Sequence, residues 1–280
     1  MIEYAKLSPD ELTDIFDQYI APSYRLVPSD RPTLYMVGAQ PGAGKTRAIE
    51  RVSALHPEAC EVSGDDLRVY HPDYAIMMDD DPLAMPELTQ EASGAWVRMS
   101  LDYLRAHKTS VIVETTFAHP DVNEQTLHSF QSDGYRTVII VISTPASLSL
   151  LGILERYADQ VEKNGSGRWT DPAYHDKVAQ RLPDNIGGLI RSGQTNAIEI
   201  VDRAGNSLLS TIINETNRDM AASRSERIIE EELSGNHINN DQRRRAFTML
   251  QQIQTVLQQA RIGDATVSPL IRRLRSEFSV

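Results

Sequence analysis

The segment YMVGAQPGAGKTRA, residues 35–48, constrains the 280-residue chain more than any other. Its apolar start, residues 34–37, reads as a strand; a Gly/Pro-rich loop follows, and a helix is predicted to begin near Lys45. Strand, loop and helix in that order make a cradle: consecutive backbone N–H groups curve around an anion and the helix N-terminus adds its partial positive charge. Gln40, Pro41, Gly42, Ala43, Gly44, Lys45 and Thr46 are therefore the nucleotide-binding candidates, with Lys45 reaching the β and γ phosphates and the Thr46 hydroxyl ligating Mg2+. The pattern G-x-x-x-x-G-K-T asks for glycine at position 39, where Ala39 stands with Gly38 just before it.

Four further short, β-branched-rich runs, near residues 60–62, 111–113, 138–142 and 198–201, alternate with longer segments of helical periodicity. That alternation implies an α/β fold, a P-loop kinase-like parallel sheet with helices on both faces. Ser8-Pro9-Asp10-Glu11 predicts a helix opened by a capping box and running to about Ile20. The longest helical candidate covers residues 87–106. Another starts near Asp171 and includes Val178, Leu182, Ile186 and Ile190.

Charge divides the chain. There are 28 Lys and Arg against 39 Asp and Glu, a net of −11. From Arg218 onward the count is ten Arg, no Lys and eight acidic residues, net +2, which leaves net −13 on the first 217. The shift predicts two units: a P-loop domain over 1–217 and a helical module over 218–280. Three helices are expected in the module, over 223–233, 242–261 and 268–278, broken at Ser234-Gly235-Asn236 and Ile262-Gly263-Asp264. About 60 residues are marginal alone, so the module is expected to pack on the α/β domain. The acidic balance argues against a general grip on nucleic acid or anionic membrane. No window approaches the roughly 18 to 20 apolar residues of a membrane helix, so a cytoplasmic protein is expected. The single cysteine, Cys60, between Ala59 and the nearby Val62, reads as a buried small hydrophobe. The seven histidines show no close metal spacing; no structural metal is expected, and His71, before Pro72, reads as a turn or packing residue.

The ends of the next two strands supply the remaining chemistry. SGDDLRVYHPDY puts Asp65 and Asp66 at the carboxyl end of a strand, where ligands of open α/β sheets bind. A carboxylate there can take the proton of a substrate hydroxyl as it attacks a γ-phosphate, or can simply cap a solvated acidic turn. VIVETTFAHP brings Glu114, Thr115 and Thr116 to the same rim. LERYADQVEKNGSGRW then carries Arg156 and Arg168, twelve residues apart across a glycine-containing turn, able to close over a triphosphate. On these residues alone three classes stay open: a small-molecule kinase using ATP or GTP, another P-loop phosphotransferase acting on an antibiotic or a nucleic-acid end, and a nucleotide-binding regulatory module without transfer chemistry.

Residues 30–215 resemble the zeta-toxin family of bacterial toxin–antitoxin kinases. GAQPGAGKT, GDDLRVYHPDY, VIVETTF, the arginine pair, RLPDNIGGLIRSG and IEIVDRAGNSLLS follow the family's order. The resemblance implies phosphorylation of the 3′-hydroxyl of UDP-N-acetylglucosamine, which poisons peptidoglycan precursor supply. It implies Asp65 rather than Asp66 as catalytic base, Lys45 and Thr46 as the phosphate and Mg2+ residues, Glu114 with Thr116 on the substrate, and Arg156 and Arg168 as clamps on ATP. The family commonly reads Glu-Gly-Thr-x-Arg at the third strand, where this chain has Thr115 for the glycine and Ala118 for the arginine. Losing that arginine removes a charged hydrogen bond of about 1.5–3 kcal/mol and leaves the sugar nucleotide open. Family toxins are held inactive by a small three-helix antitoxin. Two partners are therefore expected, a separate antitoxin chain or residues 218–280 as a tethered inhibitor in cis.

Overall fold

The computed structural model describes residues 4–82, 84–165, 167–260 and 264–279. Six strands form its centre: β1 (Thr33–Gly38), β2 (Cys60–Val62), β3 (Val111–Thr115), β4 (Arg136–Ile142), β5 (Ala197–Val201) and β6 (Ser207–Ile212). They lie in the order β2-β3-β1-β4-β5-β6; the first five are parallel and β6 runs antiparallel to β5. The five predicted strands are all present. The sixth was not predicted: within SLLSTI only Leu209 is fully buried, so this edge strand gives little apolar signal.

Strand periodicity of two sorts the side chains into two layers. Leu34, Met36, Val111, Val113, Ile139, Val141, Ile198 and Ile200 point to one face, while Val37, Ile112, Val138, Ile140, Ile142 and Val201 point to the other. Helix α2 (Lys45–Leu55) covers the second face through Val52. The first face receives Trp96 and Leu104 of α6 (Gln90–Ala106), Leu127 and Phe130 of α7 (Pro120–Ser132), and Leu182 and Ile186 of α9 (Pro172–Arg191). Helices on both faces follow, as the alternating pattern implied.

Local signals set the helix boundaries. Helix α1 (Pro9–Ile15) has the expected Ser8–Glu11 capping box, then widens into a single π-type turn at Phe16–Ile20 that buries Phe16 and Ile20. Between β2 and α6 lie α3 (Gly64–Leu67), α4 (Tyr74–Asp80) and α5 (Met85–Leu88). The helix expected over 87–106 is thus two, interrupted at Thr89. Its buried hydroxyl donates back to the Met85 carbonyl (2.8 Å) and accepts from Arg68 (2.6 Å). Asp171 caps α9, its carboxylate accepting from the Ala173 amide at 2.9 Å.

After β4 comes α8 (Ala146–Asn164), and after β6 come α10 (Arg218–Ser234), α11 (Asn240–Gln259) and α12 (Asp264–Phe278). The break expected at Ser234-Gly235-Asn236 is there, with Gly235 left-handed at φ 64°. The other break falls on residues 262 and 263, outside the described residues. Packing crosses residue 218: Ala221, Ala222 and Ile229 of α10 join the main core beside α9. Leu250, Ile253 and Leu257 of α11 and Leu270, Leu274 and Phe278 of α12 close a second core over Leu150, Leu154, Tyr157 and Val161 of α8. No described helix is long and apolar enough to cross a membrane.

Candidate active site

From β1 the chain crosses past β3 to β2, whereas from β3 it passes over β1 to β4, so the loops leaving β1 and β3 diverge. A crevice opens at such a switch point, and register decides what lines it. Glu114 lies beside Val37 and Thr115 beside Gly38, while Val62, paired with Val113, puts Ser63 next to Glu114. Ser63 Oγ donates to Glu114 Oε2 at 2.9 Å. The three strand ends therefore deliver the phosphate loop, Glu114 and Asp65 to one place.

The loop between β1 and α2 is held from behind. Gly42 has φ 75°, and a Cβ there would stand 2.0 Å from the Ser149 carbonyl oxygen of α8; one on Gly152 would stand 2.3 Å from the Gly42 oxygen. Glycine at both positions lets loop and helix backbones touch. Gly38 does the same at the end of β1, where Phe117, fully buried at φ 56°, would meet a Cβ at 2.4 Å. Glycine at 38 thus has a packing reason, and Ala39 is buried without conflict. The Gln40 side chain turns inward: Nε2 donates to the Thr144 carbonyl (2.7 Å) and to Ser149 Oγ (3.2 Å). Thr144 Oγ1 donates to the Ala43 carbonyl at 3.0 Å. Ser149 Oγ lies 2.7 Å from His175 Nε2, and His175 Nδ1 lies 3.1 Å from Asp176 Oδ1. This arrangement puts the ring proton on Nδ1 and lets Nε2 accept from the serine. Burial lowers the His175 pKa despite Asp176, so the ring is neutral.

Lys45, at the first turn of α2, donates to the Ala39 carbonyl (3.3 Å) and lies 3.9 Å from Glu114 Oε1. Burial lowers its pKa and Glu114 opposes the shift. Asp65, at the start of α3, gives one carboxylate oxygen to Arg168 and the other to Arg68 Nε at 3.2 Å. Burial pushes its pKa up, but the two guanidinium groups win and hold it below the ordinary carboxylate value. Asp66 goes the other way, raised by burial and by Glu114 and Asp65. The two adjacent aspartates are thereby told apart. Arg156, on α8, donates to Thr170 Oγ1 at 2.7 Å, and its pKa is lowered by burial and by the neighbouring Arg168. The Nε atoms of both Arg156 and Arg168 are buried with no hydrogen-bond partner among the described residues.

The sequence-derived residues Lys45, Asp65, Glu114, Arg156 and Arg168 thus converge; Thr46 is exposed on the first turn of α2 and Thr116 directly follows β3. Three contributors were not anticipated. Arg68 is buried, bonded to Asp65, Thr89 Oγ1, the Pro86 carbonyl (2.7 Å) and Gln90 Oε1 (2.9 Å). Its signal was the basic residue three after Asp65. Ser63 fixes Glu114. Arg203, after β5, donates to the Leu148 carbonyl (2.9 Å) and lies against the loop at Gly42 (3.4 Å). His71 is a buried turn residue whose Nδ1 accepts from the Asp73 amide (3.2 Å), and Cys60 is buried with its thiol on the Arg25 carbonyl (3.2 Å).

A profile of the Zeta toxin family matches residues 18–214, which is 197 of the 280. The chain belongs to the zeta-toxin family. Toxin zeta of Streptococcus agalactiae is 26% identical over 185 residues, 65% of this zeta-toxin-family chain and 64% of the relative. Toxin PezT of Streptococcus pneumoniae serotype 4 is 28% identical over 178 residues, 62% of this chain and 70% of the relative. The chain thus spans just under two thirds of the length of the Streptococcus agalactiae toxin. A solved chain from the PezAT chromosomal toxin–antitoxin system of Streptococcus pneumoniae shares the fold, with a TM-score of 0.72 at 21% identity, covering 92% of this chain and 99% of that one. The 217 residues before α10 are too few to supply 92% of 280, so part of the C-terminal helical segment also has a counterpart in that fold.

Proposed function

We propose that this zeta-toxin-family chain is a phosphotransferase that moves the γ-phosphate of ATP or GTP onto a hydroxyl of a UDP-activated sugar in the cytoplasm, with the 3′-hydroxyl of UDP-N-acetylglucosamine as first candidate. One observation carries it: Lys45, Asp65, Glu114, Arg156 and Arg168 meet at the mouth of the phosphate loop with two guanidinium Nε atoms buried and unpartnered. Anionic oxygens of a triphosphate are the acceptors those donors lack.

In this reading Lys45, Arg156 and Arg168 take the triphosphate. Drawing Arg168 onto the phosphates uncovers Asp65. Its carboxylate then accepts the proton of the acceptor hydroxyl while that oxygen bonds to the γ-phosphorus and the β–γ bridging P–O bond breaks, releasing nucleoside diphosphate. Glu114, oriented by Ser63, and Thr116 hold the acceptor's hydroxyl groups. Thr46, exposed on the first turn of α2 and with a hydroxyl that makes no hydrogen bond to a described residue, fits as one oxygen ligand of Mg2+, the phosphates and water giving the rest. When bound, that ion neutralises charge on the β and γ phosphates. Among the described residues there is no group of three or more His, Cys, Asp and Glu suited to a further metal.

A separate antitoxin chain is the partner this reading favours. The similar fold comes from a toxin–antitoxin system, and the apolar faces of α10, α11 and α12 are already engaged by α9 and α8. Helices α11 and α12 then act as a buttress of α8, the helix that carries Arg156.

Asp65→Asn tests the chemistry. Turnover should fall by about 10²-fold or more, the usual worth of a positioned base, while ATP affinity stays within about threefold. Full turnover in that variant, or ATP binding with no transfer to any UDP-sugar by the wild type, removes the kinase reading and favours a nucleotide-binding module.

A further inference from the structure

Arg273, on the last helix, stands at the surface end of a chain of polar contacts that finishes inside the phosphate loop. Its guanidinium holds the Asp176 carboxylate with both Nη atoms, Nη1 donating to Oδ2 at 2.6 Å and Nη2 to Oδ1 at 3.2 Å. Asp176 Oδ1 in turn lies 3.1 Å from His175 Nδ1, and His175 Nε2 lies 2.7 Å from Ser149 Oγ. Gln40 Nε2 donates to that same serine oxygen at 3.2 Å and to the Thr144 carbonyl at 2.7 Å, and Thr144 Oγ1 donates to the Ala43 carbonyl at 3.0 Å. The chain thus starts on α12, crosses α9 and α8, and ends on both sides of Gly42.

Only its first link meets solvent. The Arg273 and Asp176 side chains are 40% and 43% exposed, whereas His175, Ser149, Thr144 and Gln40 are fully buried. Along the buried part the bonds have one direction. An ionised carboxylate can only accept, so Asp176 keeps the ring proton on Nδ1; Nε2 then accepts the Ser149 hydroxyl proton, which leaves the serine lone pairs for Gln40. The Gln40 amide is thereby committed to Ser149 and Thr144, and the side chain of a loop residue is fixed from behind. Ser149 meets the loop a second time, through the carbonyl oxygen that bars a Cβ at Gly42. The two-pronged arginine supplies the orientation of the carboxylate: a half-exposed Asp176 without it is free to turn toward water and away from the ring.

We propose that Arg273 is a positioning residue for nucleotide binding: by holding Asp176 against His175 it keeps Ser149 and Gln40 in the arrangement that shapes the phosphate loop, which makes α12 a working part of the nucleotide site. This rests on nucleotide binding at that loop, the first half of the kinase reading, and extends the site into the C-terminal helices. A partly exposed ion pair by itself adds little to stability, so coupling to nucleotide affinity is not what a mere surface bridge would show. The same guanidinium supplies its own control, because Nε donates to Glu277 Oε1 at 3.1 Å within α12 and off the chain of contacts.

The test measures binding of a non-hydrolysable ATP analogue with Mg2+ to the full chain by calorimetry, for wild type, Arg273→Gln, Arg273→Lys, Asp176→Asn, the Arg273→Gln/Asp176→Asn double variant and Glu277→Gln. Arg273→Gln should weaken binding about three- to tenfold, lysine should restore part of the loss, and Glu277→Gln should leave it unchanged. Once Asp176→Asn is in place, Arg273→Gln should have little further effect. In turnover, Arg273→Gln should raise KM for ATP while kcat stays within about twofold. Unchanged analogue affinity in Arg273→Gln, or an equal loss in Glu277→Gln, overturns the positioning role and leaves the kinase reading standing. The expected pattern of affinities with no transfer to any UDP-sugar by wild type supports the role and removes the kinase reading, and no nucleotide binding by wild type removes both.

Discussion

Asp65 shares its two carboxylate oxygens between Arg68, which is buried and fixed by Thr89 and Gln90, and Arg168, which follows the turn after α8. The first pairing positions the base and the second covers it. A base paired this way is ionised at neutral pH but weak, since its pKa sits below the ordinary carboxylate value. Nucleotide that draws Arg168 away raises that pKa. In pH profiles the acid limb of kcat, which reports the ternary complex, should therefore lie at higher pH than the acid limb of kcat/KM, which reports free enzyme. The reverse order contradicts the exchange. Arg68→Met should lower kcat while leaving ATP affinity intact, because Arg68 touches Asp65 and not the loop. At Gly42 both the positive φ and the Ser149 carbonyl forbid a side chain, so Gly42→Ala should destabilise the fold by about 1–3 kcal/mol and abolish ATP binding, as thermal melts with and without nucleotide would report. At this scale the loop, Asp65, Glu114 and both arginines were legible because their chemistry is written in local motifs. The direction of the Gln40 side chain was not legible: its place in the loop motif concerns the backbone N–H groups, and Thr144 and Ser149 turn the side chain inward.

Helices α8 and α9 clamp the phosphate loop, through the Gly42–Gly152 approach and through the chain from Gln40 to Ser149 to His175. His175 is fully buried and its pKa is lowered, chiefly by burial, with Lys45 and Arg273 adding to the effect and Asp176 opposing it. The unfolded chain then binds the proton first. Stability from this group is complete above the ordinary histidine value of 6.5 and is lost as pH falls through it toward the folded value. Melting temperature should drop between pH 7.5 and 5.5, and His175→Asn should flatten that slope; an equal slope in the variant would mean that other groups carry it. The elements themselves were read well where periodicity was strong, as in the five parallel strands and α9. Two were not. The edge strand β6 buries a single residue fully, and the break between α5 and α6 depends on Arg68 reaching Thr89 from 21 positions away, which no local window contains.

For the molecule as a whole, the change of charge at residue 218 does not mark a change of core. α10 belongs with α9 and the sheet, pinned by Arg191 to Glu226 at 2.5 Å, and α12 is tied to α9 by Arg273 to Asp176 at 2.6 Å. Removing α11 and α12 would bare Leu150, Leu154, Tyr157 and Val161 of α8, each buried apolar side chain being worth about 1.5–3 kcal/mol. A chain cut after Ser234 is thus expected to melt at lower temperature and to lose activity as Arg156 loses its rigid support. Faster phosphate transfer by a folded truncate would instead identify the C-terminal helices as an inhibitor in cis. Composition could signal a distinct tail but not which surface it covers, because covering is a property of the partner helix as much as of the tail.

The most direct test of the kinase reading is the identity of the product. Full-length protein incubated with ATP, Mg2+ and UDP-N-acetylglucosamine, followed by phosphorus NMR and mass spectrometry, should give a new phosphomonoester on the sugar ring, absent with Asp65→Asn. Release of inorganic phosphate alone, with the UDP-sugar unchanged and Asp65→Asn behaving as wild type, would contradict a transferase built around Asp65.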